Sequence, residues 1–372
     1  MTSRRWSSAI LATAVLTVAA CGSSEPSSTG AARSAATGST NASPEPAGSI
    51  TLAFGGDIHF ADYLAPLATD PNGLAPLKPL WGNADLRMAN LETAITDGGS
   101  PMAKAFVFRA PASALTTLAN AGLTILTQAN NHAADYGEVG LADTLAARAA
   151  SPVPIVGIGK DETDAFSPRL MNVKGLKIAV FGADQVADET TLPLFSAGPA
   201  KAGVASSMPT ARLVAAVTAA RATADVVVVY LHWGFDYQSC PDERSVATAR
   251  DLEAAGADVI VGAHSHRVNG AGWLGRAYVD YGLGNFVWWR SREPDSTTGV
   301  LTLTVDADAA IKRGRATGSD RLTARSLVTA ERWTPMLITG TGAPAVQTGT
   351  TGERMLAAWT RSRGCTNLSP QP

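Results

Sequence analysis

From Ile50 onward the chain switches to short apolar runs that stop at glycine, asparagine or histidine, separated by longer stretches rich in Ala and Leu. Ile50 to Phe54, closed by Gly55 and Gly56, has the length of a buried strand and not that of a helix. The same pattern predicts strands at Leu123 to Thr127, Ile155 to Ile158, Lys177 to Phe181, Val226 to Leu231, Val259 to Gly262 and Ala277 to Tyr281. Helices are predicted at Ser113 to Ala121, Gly140 to Ala149, Thr210 to Ala222 and Arg244 to Ala255. Strands alternating with helices argue for βαβ units around a largely buried sheet, which places the chain in the α/β class. There is no fixed-period repeat, but Ala224-Asp225-Val226 and Ala257-Asp258-Val259 both open apolar strands that lead to histidine. The pattern fades after Asp306 and turns loop-like from Gly340, so the folded domain is expected over 49–328, with 329–372 as a C-terminal tail.

The first 48 residues read differently. Arg4 and Arg5 precede the apolar run Ala9 to Ala20, which is too short to cross a hydrocarbon core needing roughly 20 residues but fits the apolar region of an export signal. Small residues at Val18-Ala19-Ala20 lead into Cys21, and this stretch resembles the lipobox of bacterial lipoproteins. The resemblance implies cleavage after residue 20, lipidation of Cys21 and residence on the outer face of the cytoplasmic membrane. The Arg pair also resembles, weakly, a twin-arginine signal. Residues 22–48 are Ser, Thr, Ala, Gly and Pro with few large apolar side chains, a composition that cannot offset its ordering entropy and reads as a tether. Beyond Cys21 only Cys240 and Cys365 remain. In an oxidising compartment two such cysteines are more often paired than reactive, and a disulfide between them is expected.

At 372 residues, 45% hydrophobic and 17% charged, the chain can bury a substantial core. A net charge of -2 and the lack of any dense Lys/Arg run argue against nucleic acid as a partner.

Chemistry concentrates at the histidines. His59, His132, His232, His264 and His266 are the only five, and each sits just beyond a predicted strand. Ligand sites of open α/β sheets form at the carboxyl ends of strands, so one sheet edge collects all five imidazoles. Histidine with carboxylates is a ligand set for divalent first-row metals. Single motifs are weak: a lone D-x-H, here Asp57 and His59, is more often a turn aspartate and a surface histidine. Asn90-Leu91-Glu92 adds an acid, Asn130-Asn131-His132 an amide oxygen beside an imidazole, and His232 precedes Trp233-Gly234. His264-Ser265-His266 is the strongest single element, because alternate residues of extended chain point to one side.

In this order D-x-H, N-L-E, N-N-H, H-W-G and H-S-H resemble the metallophosphoesterase (calcineurin-like) superfamily, specifically its CapA-type poly-gamma-glutamate capsule branch. Branch-like text includes Leu118 to Gly122, Ala129 to Gly137, Gly256 to Gly262 and Tyr281 to Phe286, and the similarity runs from about Ile50 to about Trp288. The resemblance implies a four-layer αββα sandwich and two divalent cations of Mn, Fe, Zn or Co type. Asp57, His59 and His266 would hold one cation and Asn131, His232 and His264 the other, with Glu92 bridging. The wider superfamily bridges with an aspartate, so Glu92 belongs to the capsule branch and extends the carboxylate by one methylene. By the same resemblance His132 protonates the leaving group while a metal-activated hydroxide attacks. Arg109 and Asn285 are candidate substrate contacts, with Trp288 and Trp289 near the pocket. The expected protein is a lipid-anchored, metal-dependent hydrolase of the cell envelope, acting on an anionic polymer such as poly-gamma-glutamate beside capsule-synthesis machinery. The alternatives are a phosphomonoesterase or phosphodiesterase, and a non-catalytic capsule-assembly or polymer-binding factor.

Overall fold

Alternate residues of the central strands enter different cores, which is why those strands read as unbroken apolar runs. In the computed structural model, which describes residues 48–186, 188, 191–315 and 325–372, Ile50, Leu52 and Phe54 share one buried cluster with Ile178, Val180, Val228 and Val261. Ala53 between them, and Ile58 beyond the register shift that follows Phe54, belong instead to the cluster of Trp81, Leu118 and Leu141. Ala179, Phe181, Val227, Val229 and Ile260 face Leu213, Val217 and Leu252. The signal, the lipidation at Cys21 and all of the tether but Gly48 lie outside the described residues.

These three cores separate four layers. One sheet runs in the order Pro344–Val346, Val328–Ile338, Thr297–Asp306, Ser49–Ile58, Leu86–Leu91, Ile125–Thr127, Ile155–Val156, with Asn285–Val287 added parallel to Ser49–Ile58. The other runs Ala271–Leu274, Ala277–Asp280, Val259–His264, Val226–Trp233, Leu176–Asp184, Arg169–Val173. Their inner faces make the first core, and helices cover both outer faces. Ser113–Asn120 and Gly137–Ala150 cover the first sheet, and Ala211–Arg221 and Glu243–Ala255 the second. The protein is therefore an αββα sandwich. Tyr230 Oη donates to Gly55 O at 2.8 Å and pins one sheet to the other beside the site.

Local signals set the helix that leads into the Val259–His264 strand. Asp242 caps Glu243–Ala255 by accepting from Ser245 N at 2.6 Å, and Gly256 at φ +106° ends it. Among the described residues, no helix is long and apolar enough to cross a membrane.

The segment 329–372 is not a tail, and the expected domain end at 328 is corrected. Val328–Ile338 pairs antiparallel with Thr297–Asp306, and Gly349–Ser362 lays Met355 and Trp359 on the inner core, where Trp359 stacks on Trp333 with ring centroids 5.7 Å apart. Cys240 and Cys365 form a disulfide that joins the loop after Val226–Trp233 to this last segment. The strand was missed because it carries Glu331, Arg332 and Pro335 among its apolar residues. An antiparallel strand with one half-wet face lacks the continuous signal of the parallel ones.

Candidate metal centre

The parallel strands of both sheets deliver their carboxyl ends to one edge, and the side chains gathered there are buried. Asp57 is the penultimate residue of Ser49–Ile58 and is held by two donors, Asn90 Nδ2 to Oδ1 at 2.8 Å and the His264 amide to Oδ2 at 3.1 Å. Glycine makes that approach feasible. A Cβ on Gly56 would lie 1.8 Å from Gly284 O, so only glycine lets the chain pass there while the Asp57 amide donates to that same oxygen at 3.0 Å.

Glu92 follows Leu86–Leu91 and is wholly buried. Both its carboxylate oxygens lack a hydrogen-bond partner among the described residues. His132 Nε2 and His232 Nε2 each stand 3.7 Å from Oε1. Burial first, then the charges of Asp57, Asp236 and Asp135, push its pKa well above the usual carboxylate range. A buried carboxylate with no donor is costly unless a cation neutralises it, which is the test that a metal centre passes here. His59 Nε2 and His264 Nδ1 are likewise buried without partners among the described residues.

The ligand-type atoms fall into two groups. One contains Asp57, Glu92 and His232, the other Asp236, His264 and His266, with the atoms of each group within 4.8 Å of one another. His232 spans the inner group, with Nδ1 3.1 Å from Asn90 Nδ2 and Nε2 3.0 Å from Asn131 Oδ1. His266 Nδ1 lies 2.8 Å from Asn285 Oδ1 and 3.6 Å from Asp57 Oδ2, so the two groups abut. Burial holds His232 well below the ordinary imidazole range and pulls His264 down to about 3, with neighbouring imidazoles adding to both shifts. Both are neutral near pH 7, as metal ligation by imidazole requires.

His264 and His266 do not alternate along extended chain as expected. Their φ angles are +93° and +52°, and the chain bends after the strand, with ring centroids 5.9 Å apart. Left-handed backbone at bulky residues is strained and collects at functional sites. His59 stands apart from both groups. It stacks on Phe108 at 4.4 Å and meets Trp288 edge-on at 4.1 Å, while its Nδ1 accepts from the Ala61 amide at 3.0 Å.

His132 is oriented for proton work. Asp135 Oδ2 lies 2.6 Å from Nδ1, which leaves Nε2 facing Glu92. Burial lowers the His132 pKa, and Asp135 opposes that shift by charge and hydrogen bond. Lys104 in turn donates to Asp135 Oδ1 at 2.8 Å and also reaches Asn131 O.

The two expected substrate contacts do not line the cavity. Arg109 is exposed and lies over the Tyr136 ring at 4.8 Å, away from the cavity that His132, His264 and His266 line. The cations on that cavity are Lys104 and Arg290, with Trp288 and Trp289 also in its wall. Asn285 is buried and its oxygen is engaged by His266, which makes it a positioner of that ring. Sequence reasoning missed Asp236, Asn90, Asp135 and Lys104. Asp236 carried one usable signal, an acid two residues past Trp233-Gly234, where a glycine at φ +87° turns the chain back.

The model for the bacterial capsule synthesis protein PGA_cap family matches residues 51–288. PGA biosynthesis protein CapA of Bacillus subtilis (strain 168) is 31% identical over 255 residues, 66% of each chain. Capsule biosynthesis protein CapA of Bacillus anthracis is 32% identical over 184 residues, 46% of this chain and 43% of that one. A probable polyglutamine synthesis accessory protein of Mycobacterium tuberculosis (strain ATCC 25618 / H37Rv) is 31% identical over 221 residues, 54% of this chain and 58% of that one. The chain thus spans less than two thirds of the length of these curated relatives. Among solved structures, a hypothetical protein from Thermus thermophilus aligns with a TM-score of 0.41 at 16% identity, covering 80% of this chain and 97% of that one. The 5'-nucleotidase from Candida albicans SC5314 aligns with a TM-score of 0.41 at 10% identity, covering 87% and 59%. With the family match spanning all seven expected ligands and His132, the chain belongs to the bacterial capsule synthesis protein (PGA_cap) family.

Proposed function

We propose that this protein is an exported, lipid-anchored, metal-dependent hydrolase of the cell envelope that cleaves an anionic capsule-type polymer such as poly-gamma-glutamate. One observation carries the reading: Glu92 is fully buried with neither carboxylate oxygen hydrogen-bonded among the described residues, and two imidazole nitrogens face it at 3.7 Å. Asp57, Glu92 and His232 would hold one divalent cation, and the imidazoles of His264 and His266 would face a second, with Asn131 beside His232. When bound, such cations supply Lewis acidity, polarising the scissile group and activating water at neutral pH.

The chain's own residues supply the rest. Asp135 fixes the His132 tautomer and favours its cationic form, so that Nε2 can give a proton to the departing group. Lys104 holds Asp135 and the Asn131 carbonyl in place. The indole walls of Trp288 and Trp289 exclude water from one side of the cavity, and Arg290 offers a guanidinium to an anionic chain.

The test is metal analysis of the purified chain, coupled to a screen against polyglutamate, phosphomonoesters and phosphodiesters, repeated with Glu92→Ala and His132→Ala. Wild type should carry divalent metal, Glu92→Ala should lose it, and His132→Ala should keep it while turnover falls about 100-fold or more. A wild-type protein without metal would refute the proposal. Metal without turnover on any of these substrates would transfer it to the capsule-assembly alternative.

A further inference from the structure

Where Thr210 opens the Ala211–Arg221 helix beside Glu243–Ala255, the protein holds a second cavity of about 620 Å³, against about 150 Å³ for the one over the metal centre. No described residue lines both. Small-molecule sites occupy about 300–1,000 Å³, so the space is large enough for one. Part of its wall is a single helix face, on which Arg244, Ala247, Thr248 and Asp251 recur at helical spacing. Leu192, Met208 and Pro209 add an apolar surface. Gln185 also lines the cavity and is only 3% exposed. Its Nε2 donates to Thr248 Oγ1 at 2.6 Å, while Oε1 has no hydrogen-bond partner among the described residues. A buried acceptor without a donor is costly, and an N–H brought in by a ligand removes that cost. Arg244 and Asp251 are exposed on the same face. Arg244 Nη1 reaches Met208 Sδ at 3.5 Å, and neither charge has an ion-pair partner among the described residues.

We propose that this cavity binds a short apolar peptide with free ends, its carboxylate on Arg244, its ammonium on Asp251 and one N–H on Gln185 Oε1. Two helical turns set the charged positions about 10 Å apart along the helix. Extended chain advances about 3.3 Å per residue, so a tripeptide matches that span, whereas a single amino acid holds its two charges too close together to reach both. An inorganic anion would use Arg244 alone and leave Gln185 Oε1 without its donor. The apolar side chains of such a peptide would lie against Leu192, Met208 and Pro209. The inference is independent of the hydrolase reading, because none of these residues takes part in the metal centre.

The experiment titrates the tripeptide Ala-Leu-Ala calorimetrically into the full chain, alongside its N-acetylated and C-amidated forms. Wild type should take up one equivalent of the free tripeptide and bind each blocked form about fivefold more weakly or worse. Arg244→Gln should bring the free tripeptide down to the amidated form and leave the amidated form within about twofold, and Asp251→Asn should do the same with the acetylated form. Gln185→Met removes the buried acceptor and should weaken all three forms alike. Ala247→Phe fills the cavity from an exposed helix position and should abolish uptake. Thermal melts report whether each variant is folded, and the exposed Arg244→Gln and Asp251→Asn changes are expected to leave the melting temperature unchanged. Absence of binding at about 10 mM tripeptide overturns the proposal. So does uptake by folded Ala247→Phe equal to that of wild type, equal affinity for free and blocked forms, or a folded Gln185→Met that binds as wild type does.

Discussion

Two buried acids outside the candidate ligand set give the residue scale its sharpest pH behaviour. Asp280 ends the Ala277–Asp280 strand, where Oδ1 accepts from the Gly282 amide at 2.9 Å and Oδ2 has no hydrogen-bond partner among the described residues. Burial pushes its pKa to about 8, and Asp184 is driven to about 8 for the same first reason. An acid whose folded pKa is raised contributes stability that is complete below its unfolded value near 4 and is lost as pH rises through 8. Folded Asp280 keeps its proton across that window while the unfolded chain releases it. Asp280→Asn removes the titration and retains the acceptor for Gly282. The stability of wild type relative to Asp280→Asn should therefore fall by about 1.4 kcal/mol per pH unit between about pH 4 and 8 and then level off. Urea melts at several pH values measure it, and a pH-independent difference would refute the buried protonated acid. The residue scale also marks where sequence stopped being informative. Asp57, His232, His264 and His266 stood out in the sequence because each follows an apolar run, and Glu92 only through the N-L-E motif. Their partners were not, because left-handed backbone at His264 and His266 sets directions that spacing on an extended chain misjudges.

At the scale of elements, legibility followed burial. Parallel strands such as Val226–Trp233 are covered on both faces, so every residue is apolar or a ligand and the run announces itself. Leu86–Leu91 carries Arg87, and Val328–Ile338 carries three exposed positions, so neither stood out although both lie inside the first sheet. Glycines that determine how elements meet separate into two kinds. At Gly56 an added Cβ would strike backbone oxygen at 1.8 Å, and neither chain can yield without moving Asp57 or the Asn285–Val287 strand. At Gly234 nothing lies within 4 Å, and only the φ of +87° opposes a side chain. Gly56→Ala should cost about 3 kcal/mol or more and reduce metal uptake, whereas Gly234→Ala should cost about 1 to 2 kcal/mol. Equal costs in denaturant melts would contradict the steric account of the strand crossing.

On the scale of the whole molecule, the proposed membrane attachment belongs to the first 48 residues and the chemistry to the folded domain. Cys21→Ser should move the protein from the membrane to the soluble fraction of expressing cells and leave the metal content of the folded part unchanged. Retention at the membrane would refute the proposed lipid anchor. The last segment binds back onto both sheets: Trp273 of the second and Ser369 exchange backbone hydrogen bonds at 2.8 Å in both directions, and Arg363 pairs with Glu331 of the first at 2.7 Å. The Cys240–Cys365 bond, with a sequence separation of 125, makes that return covalent and closes a ring. Ring closure of this size restricts the unfolded chain by up to about 5 kcal/mol. Its membership is uneven, because His264, His266 and Asn285 lie within the ring while Asp57, Glu92, Asn131 and His232 lie outside it. The two H-S-H histidines are thus carried on a covalently closed segment, while Asp57 is tied to it through the His264 amide. Reduction of the disulfide should lower the melting temperature, because the unfolded chain regains the freedom that the ring denies it, and thermal melts with and without reductant check this.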